Sequence, residues 1–384
     1  MLSRSDAEAL DAADPLAPWR AEFVIADPDL VYLDGHSLGA PARRAIEAAH
    51  AVMVDDWAAG LIRSWDDGWL DLPQRAGAAL APLLGADGEE VIVHDSTSVN
   101  LFQLVHAALA LRPDRRVIAV DPTDFPTDLY VVDGIAARTG HAVRSGFDRL
   151  DDVAVVVRTL VDYRTADIAD LAGETARATA AGALVVWDLS HAVGLLELDL
   201  HGAGVDLAVG CTYKYLGSGP GGPAFSYVAR GLQADIDQPI WGWFGRDDQF
   251  AMAAEYAPMP GIGRLLIGTP GIIGVAAAKA AIEVVAEAGI GAIRAKATAL
   301  TGLALDLCAQ HGLESPTPRD PARRGGHIAV RHSEARRLVD DLAALGIVTD
   351  FREPDLVRLG CPPLTTRFTD VFDGVQGITG WLDA

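Results

Sequence analysis

Two residues of this sequence, Asp188 and Lys214, are of the right types and spacing to do covalent chemistry together. Asp188 closes the apolar run LVVWD and Lys214 closes the run LAVGCTYK, 26 residues later, about one strand-to-strand step through a loop. In open α/β sheets, ligands gather outside the carboxyl ends of the strands, so polar residues that directly follow apolar runs are site candidates. Ser96, Thr97 and Ser98 after VIVHD, and Thr159 after VVVR, occupy the same kind of position. An amine desolvated among apolar and aromatic neighbours loses proton affinity, and a neutral lysine condenses with an aldehyde. A buried carboxylate on the next strand is costly unless a cation meets it.

A protonated pyridine nitrogen is such a cation, so the pair points to pyridoxal 5'-phosphate. The lysine would take the aldehyde, and the acid would keep the ring nitrogen protonated so that the ring can accept electrons. The phosphate needs N–H donors. Asp95-Ser96-Thr97-Ser98-Val99 is a run of capping residues opening a helix, where free amides and hydroxyls converge on an anion. The same residues read alone as a simple N-cap; beside Asp188 and Lys214 the balance tips toward phosphate.

The elements that must position these residues follow from the hydrophobic pattern. From about residue 85 to 230, strand-like runs (VIVHD, VIAVDP, VAVVVRTL, ALVVWDLS, VDLAVGCTY) alternate with helix-like ones (VNLFQLVHAAL, LYVVDGIAA, DIADLAGETARATA). That rhythm predicts a mostly parallel sheet covered on both faces. Upstream, VYLD (31 to 34) reads as a short strand, followed by the turn GHSLGAP and a helix from about Pro41. After IGTPG, the stretch GVAAAKAAIEVVAEAG carries Lys279, Glu283 and Glu287 every four residues, the mark of a surface helix with a solvated face. HIAVRH, a helix through EARRLVDDLAALG, IVTDF and LVRLG read as a smaller α+β lobe. The division expected is an N-terminal segment 1–45 packing with the small lobe, a large cofactor-binding domain 46–260 and a small domain 261–384.

Bulk composition narrows the function further. The 384 residues carry a net charge of −22, which leaves no broad basic face for nucleic acid. No uncharged apolar run reaches bilayer length and the first twenty residues hold no apolar leader core, so the reading is cytoplasmic, without a membrane partner. Cys211, Cys308 and Cys361 have no ligand-like spacing, so no metal is expected.

The set LDGHSLG, DSTSVNL, DFPTD, WDLSHAVG, GCTYKYLGSGPGG, GWFGRDDQF and IGTPG, in this order, resembles the kynureninase family. These are fold-type-I pyridoxal phosphate enzymes related to class V aminotransferases. The resemblance implies a large domain with a mostly parallel seven-stranded sheet between helices, plus a smaller α+β C-terminal domain. It also implies hydrolysis of L-kynurenine, or 3-hydroxy-L-kynurenine, to anthranilate (or 3-hydroxyanthranilate) and L-alanine, a step of tryptophan catabolism linked to NAD biosynthesis. Residue by residue, it implies that Lys214 carries the cofactor and Asp188 pairs with the ring nitrogen. His191 orients the ring oxygen or that carboxylate, Phe125 stacks on the ring, Asp128 supports the site, and Thr97 and Ser98 bind phosphate. Tyr213 and Trp243 reach the phosphate from the opposite side, Thr269 does so from a second subunit of a homodimer, and Thr159 approaches the ring. Tyr213 is also the candidate proton relay.

Arg358 occupies the place where this enzyme class clamps the substrate α-carboxylate, with Arg367 as its rival. The chain departs from the family's LDGNSLG at His36, which with Ser37 is therefore read as substrate-facing, and at Arg246, where histidine is common. Trp65 and Trp69 line either the aryl pocket or the core. Within the fold the alternatives are a cysteine desulfurase or selenocysteine lyase, which needs an exposed mobile cysteine, and an aminotransferase.

Overall fold

Short β-branched runs assemble into one seven-stranded sheet in the computed structural model, which describes residues 1–383. The strands are β1 (Val31–Tyr32), β2 (Val91–His94), β3 (Val117–Val120), β4 (Ala142–Ser145), β5 (Val153–Thr159), β6 (Leu184–Asp188), β7 (Leu207–Cys211), β8 (Ala224–Val228), β9 (His327–Arg331), β10 (Ile347–Val348), β11 (Asp350–Arg352) and β12 (Leu356–Gly360). The large sheet has the order β2-β8-β7-β6-β5-β3-β4. Strand β8 runs antiparallel to both neighbours, and the other pairs are parallel.

Alternate residues of each strand feed two apolar cores. Val93, Ala119, Val185, Trp187 and Ala208 pack on one face with the helices Leu72–Leu84 and Ile272–Ala288. Ile92, Ile118, Val186, Leu207 and Val209 pack on the other with the helices Thr97–Ala110 and Pro126–Thr139. Burial on both faces explains why these strands read as nearly unbroken apolar runs. Each fully buried Val, Leu or Ile adds about 1.5–3 kcal/mol of transfer free energy. This rigid layer sets the register Thr159↔Asp188 and Asp188↔Val209, which holds the carboxyl ends of β5, β6 and β7 side by side.

The small lobe is the antiparallel sheet β11-β12-β9 covered by the helices Ile290–Gln310, Ala335–Ala344 and Phe368–Leu382. Ala7, Val31 and Leu33 join its core, β1 pairs with β10, and Asp14 makes a buried 2.6 Å ion pair with Lys296.

Two features differ from the pattern reading. Strands β4 and β8 are absent from it: β4 is a largely exposed edge strand without an apolar run, and β8 follows directly on a glycine-rich turn. The helix Ile272–Ala288 shows solvent only a narrow stripe. Val275, Ala278, Ile282 and Val285 are buried, and Lys279 is spent on Glu283 at the surface. Among the described residues no helix is long and apolar enough to cross a membrane.

Candidate active site

The carboxyl ends of β5, β6 and β7 bring together three buried acids. Asp188 accepts from the Ser190 amide at 2.7 Å. Asp128, on the first turn of Pro126–Thr139, accepts from Thr159 Oγ1 at 3.4 Å. Asp124 accepts from the Thr159 amide at 3.2 Å and pairs with Arg158 at 2.9 Å. Burial first, then the Asp188 and Asp124 charges, push the Asp128 carboxyl well above the usual range, and burial pushes Asp124 up to about 7 against the pull of Arg158. Negative charge thus exceeds what the local cations answer.

Lys214 enters this group from the loop after β7. Its Nζ lies 2.9 Å from His191 Nε2 and 5.9 Å from the centre of the Phe125 ring. Phe125 is 39% exposed with one edge against Tyr163, so it is no core aromatic and its ring remains accessible. His191 is buried with Nδ1 unpartnered, and burial followed by the Lys214 charge holds it neutral. The Cys211 thiol and burial push the Tyr213 phenol up, so it keeps its proton. Gly39 of the LDGHSLG turn donates its amide to the Tyr213 carbonyl at 2.8 Å, and a Cβ there would collide with the Lys214 carbonyl.

On the small-lobe side, Arg358 is buried in β12. Its guanidinium grips Asp350 along one edge (Nε to Oδ1, 2.6 Å), donates to Ser37 Oγ at 3.2 Å and reaches the Tyr163 carbonyl. Arg352 also reaches Asp350, at 2.7 Å. Asp34 answers part of the charge of these two guanidiniums, and Arg352 Nε has no partner, so a donor remains for another anion. Beside them His36 is fully buried, stacked on His327 at 4.8 Å, with Asp34 and Asp350 oxygens at 3.6 and 3.9 Å. Burial pushes Asp34 up to about 6. Gly360 is required here, since a Cβ would strike the His36 ring.

Other expected residues stand apart from this centre. Ser96 caps the helix Thr97–Ala110 by accepting from Val99, which leaves the Thr97 and Ser98 amides at the open helix start. The turn into it is sharp, with Asp95 at φ 41. Thr269 lines a cavity of about 390 Å³ with Asp95 and Gly221, and Trp243 packs edge-on to Phe244 and Phe250. Within one chain neither meets Lys214. Trp65 packs on Trp69 and on buried Phe244. Arg246 braces its own loop through the Glu255 and Asp248 carbonyls. Arg367 forms a capping box with Asp370, which ties it to the last helix. Cys211, Cys308 and Cys361 are all buried.

Comparison with known proteins bears directly on this arrangement. Residues 293–378 match the family model "Kynureninase C-terminal domain". The kynureninase of Pseudomonas fluorescens is 43% identical over 100% of this chain and 96% of its own length, and that of Deinococcus radiodurans is 45% identical over 100% and 97%. The chain belongs to the kynureninase family. Among solved structures, the cysteine desulfurase CsdA of Escherichia coli superposes with a TM-score of 0.81 at 19% identity, covering 96% of this chain and 98% of that one. A lysine-to-alanine mutant of C-DES, with glycine covalently linked to its PLP cofactor, gives 0.79 at 16%, covering 99% of each. Those two likenesses speak to fold alone.

The residues present suit the cofactor expected of a kynureninase-family chain. Buried carboxyls without a matching cation suit a pyridinium, the exposed Phe125 face suits a ring, and the open helix start suits a phosphate. Several site residues escaped the sequence reading: Asp124, Arg158, Asp350, Arg352 and His327. Asp350 and Arg352 carried a usable signal, since i and i+2 on a strand share a face. For His327 the signal was a histidine opening an apolar run.

Proposed function

We propose that this chain hydrolyses L-kynurenine or its 3-hydroxy form to anthranilate or 3-hydroxyanthranilate and L-alanine, using pyridoxal 5'-phosphate held by Lys214. The observation that carries the reading is the Lys214 amine set against His191 and Phe125 beside the carboxyls of Asp188 and Asp128. Identity with kynureninases over the full chain favours it over the desulfurase alternative, as does the burial of every cysteine. Pyridoxal phosphate, when bound, supplies a ring that draws electrons from the carbon bearing the substrate amine.

The protein's own residues do the rest. Asp188 would hold the proton on the ring nitrogen, with Asp128 and Thr159 behind it. Phe125 would cover one ring face, His191 would orient the lysine and ring oxygen, and the Thr97 and Ser98 amides and hydroxyls would receive the phosphate. The Lys214 amine would take the α-proton at Nζ. Arg358, braced by Asp350 and Ser37, draws in the α-carboxylate with Arg352. Water then adds to the γ-carbonyl, the bond to the β-carbon breaks, and Tyr213 hands the β-carbon a proton from a phenol that the Cys211 thiol and burial keep protonated.

The site is completed across a homodimer in this reading, with Trp243 and Thr269 reaching a second copy's phosphate. Exposed Trp57, Ile62, Trp241, Phe250 and Met252 supply apolar surface for that contact. A cytoplasmic location agrees with the composition. The test is direct: purified protein loaded with pyridoxal phosphate is given each kynurenine while anthranilate and 3-hydroxyanthranilate are followed by fluorescence. Borohydride reduction and peptide mapping should place the cofactor on Lys214. Consumption of neither substrate by protein labelled at Lys214 overturns the substrate while keeping the cofactor.

A further inference from the structure

Polar atoms sealed from water without a partner are costly, so a group of them beside a site marks where a ligand atom belongs. His36 and His327 are both fully buried; no ring nitrogen of either makes a hydrogen bond of good geometry, although the Tyr163 carbonyl lies beside His327. The His191 ring lies 5.7 Å from His327 and 6.2 Å from His36. The three imidazoles form a bridge from one lobe to the other. His191 touches the Lys214 amine, His327 opens β9 in the small lobe opposite Gly360, and His36 adjoins the Asp350 that braces Arg358. None of the roles assigned above uses His327.

We propose that His327 donates a hydrogen bond to the γ-carbonyl oxygen of the substrate as that oxygen takes charge, and that His36, stacked against it, is the positioning residue that fixes its ring. This rests on the kynurenine reading. The charges of Lys214 and Arg358 both act on the His327 ring and, after burial, help keep it neutral, so a substrate with its amine beside the first and its carboxylate on the second comes near that ring. The γ-carbonyl lies two carbons from the α-carbon, within reach of that ring. When water adds, its oxygen bonds to the γ-carbon, one water proton leaves to solvent, and the C=O π pair moves onto the carbonyl oxygen. The Cγ–Cβ bond then breaks and leaves its pair on Cβ. A neutral imidazole offers one N–H, which is what the intervening oxyanion lacks. His36 is the poorer donor because Asp34 and Asp350 stand against its two nitrogens and Gly360 against its ring.

The experiment compares the loaded wild type with His327→Phe and the donor-retaining His327→Gln on two substrates: kynurenine and 3-chloro-L-alanine, which loses chloride without any carbonyl. For His327→Phe, kcat on kynurenine should fall about 10²–10³-fold, while pyruvate formation from chloroalanine stays within about threefold. His327→Gln should recover about tenfold of the loss. His36→Asn should show the same pattern with a smaller deficit. Calorimetry with the γ-alcohol analogue, already tetrahedral at the reacting carbon, should show about tenfold weaker binding to His327→Phe. Equal losses on both substrates, or unchanged kcat on kynurenine, overturn the assignment. A wild type that makes pyruvate from chloroalanine but consumes neither kynurenine overturns the substrate reading instead, and with it the role of His327.

Discussion

The two ends of the site are built on opposite electrostatic errors. At the sheet end, burial first and then the crowding of Asp124, Asp128 and Asp188 drive the carboxyls of Asp124 and Asp128 upward against Arg158 and Lys214. At the small-lobe end, where Arg352 and Arg358 share Asp350, burial first and then the Arg358 charge drive the imidazoles of His36 and His327 downward. The site is thus suited to a ligand that is cationic at one end and anionic at the other. A pyridinium beside an amino-acid carboxylate has that form.

The sheet end should be the harder to lose. Asp188→Asn keeps the shape and removes the charge that a ring proton needs. Breaking a buried pair costs about 3–5 kcal/mol, or about 10²–10⁴-fold. We expect turnover to fall by that factor, with Lys214 still labelled by borohydride and the absorbance of the bound cofactor altered. Near-wild-type turnover would mean that Asp128 or Asp124 holds the ring proton, and the comparison would have to be redrawn around them.

At the other end, Arg358→Gln removes the planar fork but leaves Arg352 to pair with Asp350. Losing a hydrogen bond to a charged group costs about 1.5–3 kcal/mol, so KM should rise about 10- to 150-fold with kcat little changed. If kcat falls and KM holds, Arg358 is structural and the anion is received elsewhere.

How far these ends were legible in the sequence differs for a physical reason. The sheet end is local: each of Asp188, Thr159 and Lys214 follows its own apolar run, and the register between parallel strands does the rest. Phe125 and Asp128 needed the resemblance, because a helix N-terminus looks alike whether it caps or binds. The small-lobe end is made by strands and turns distant in the chain, with Ser37, Tyr163, His327 and Asp350 converging on Arg358. No pattern within one window announces such a meeting. Strand β4 was missed for a related reason, since an exposed edge carries no apolar run.

Titration should separate the ends by sign. Asp124 titrates at about 7 when folded and near 3.9 unfolded, so its contribution is present below about 4 and lost as pH rises through 7. The groups facing it are Arg158, Asp121, Asp188 and the Thr159 amide. His327 is held below its unfolded value of about 6.5, so its contribution is present above that and lost as pH falls below it. Arg358, Arg352 and Lys214 are the charges acting on it, with the Tyr163 carbonyl adjacent. In cofactor-free protein, the urea midpoint of wild type relative to Asp124→Asn should climb as pH drops from 8 to 5. Relative to His327→Gln it should decline over the same range. Two slopes of one sign would show that one of the two groups is not held away from water as the structure has it.

The smallest effect sharpens the comparison most cheaply. Arg367 lies nine residues beyond Arg358 and carries the same charge, yet it spends that charge on Asp370 within its own helix cap, with its side chain 42% exposed. Asp370 is buried but keeps its bond from the Arg367 amide, so losing the half-exposed guanidinium costs about 1 kcal/mol. Arg367→Ala should therefore lower the urea midpoint slightly and leave KM for the amino-acid substrate within about twofold of wild type, since no substrate contact is lost. Were KM instead to rise tenfold, as expected only for Arg358, the anion would be binding at the start of the last helix. The excess of positive charge around Asp350 would then serve folding alone.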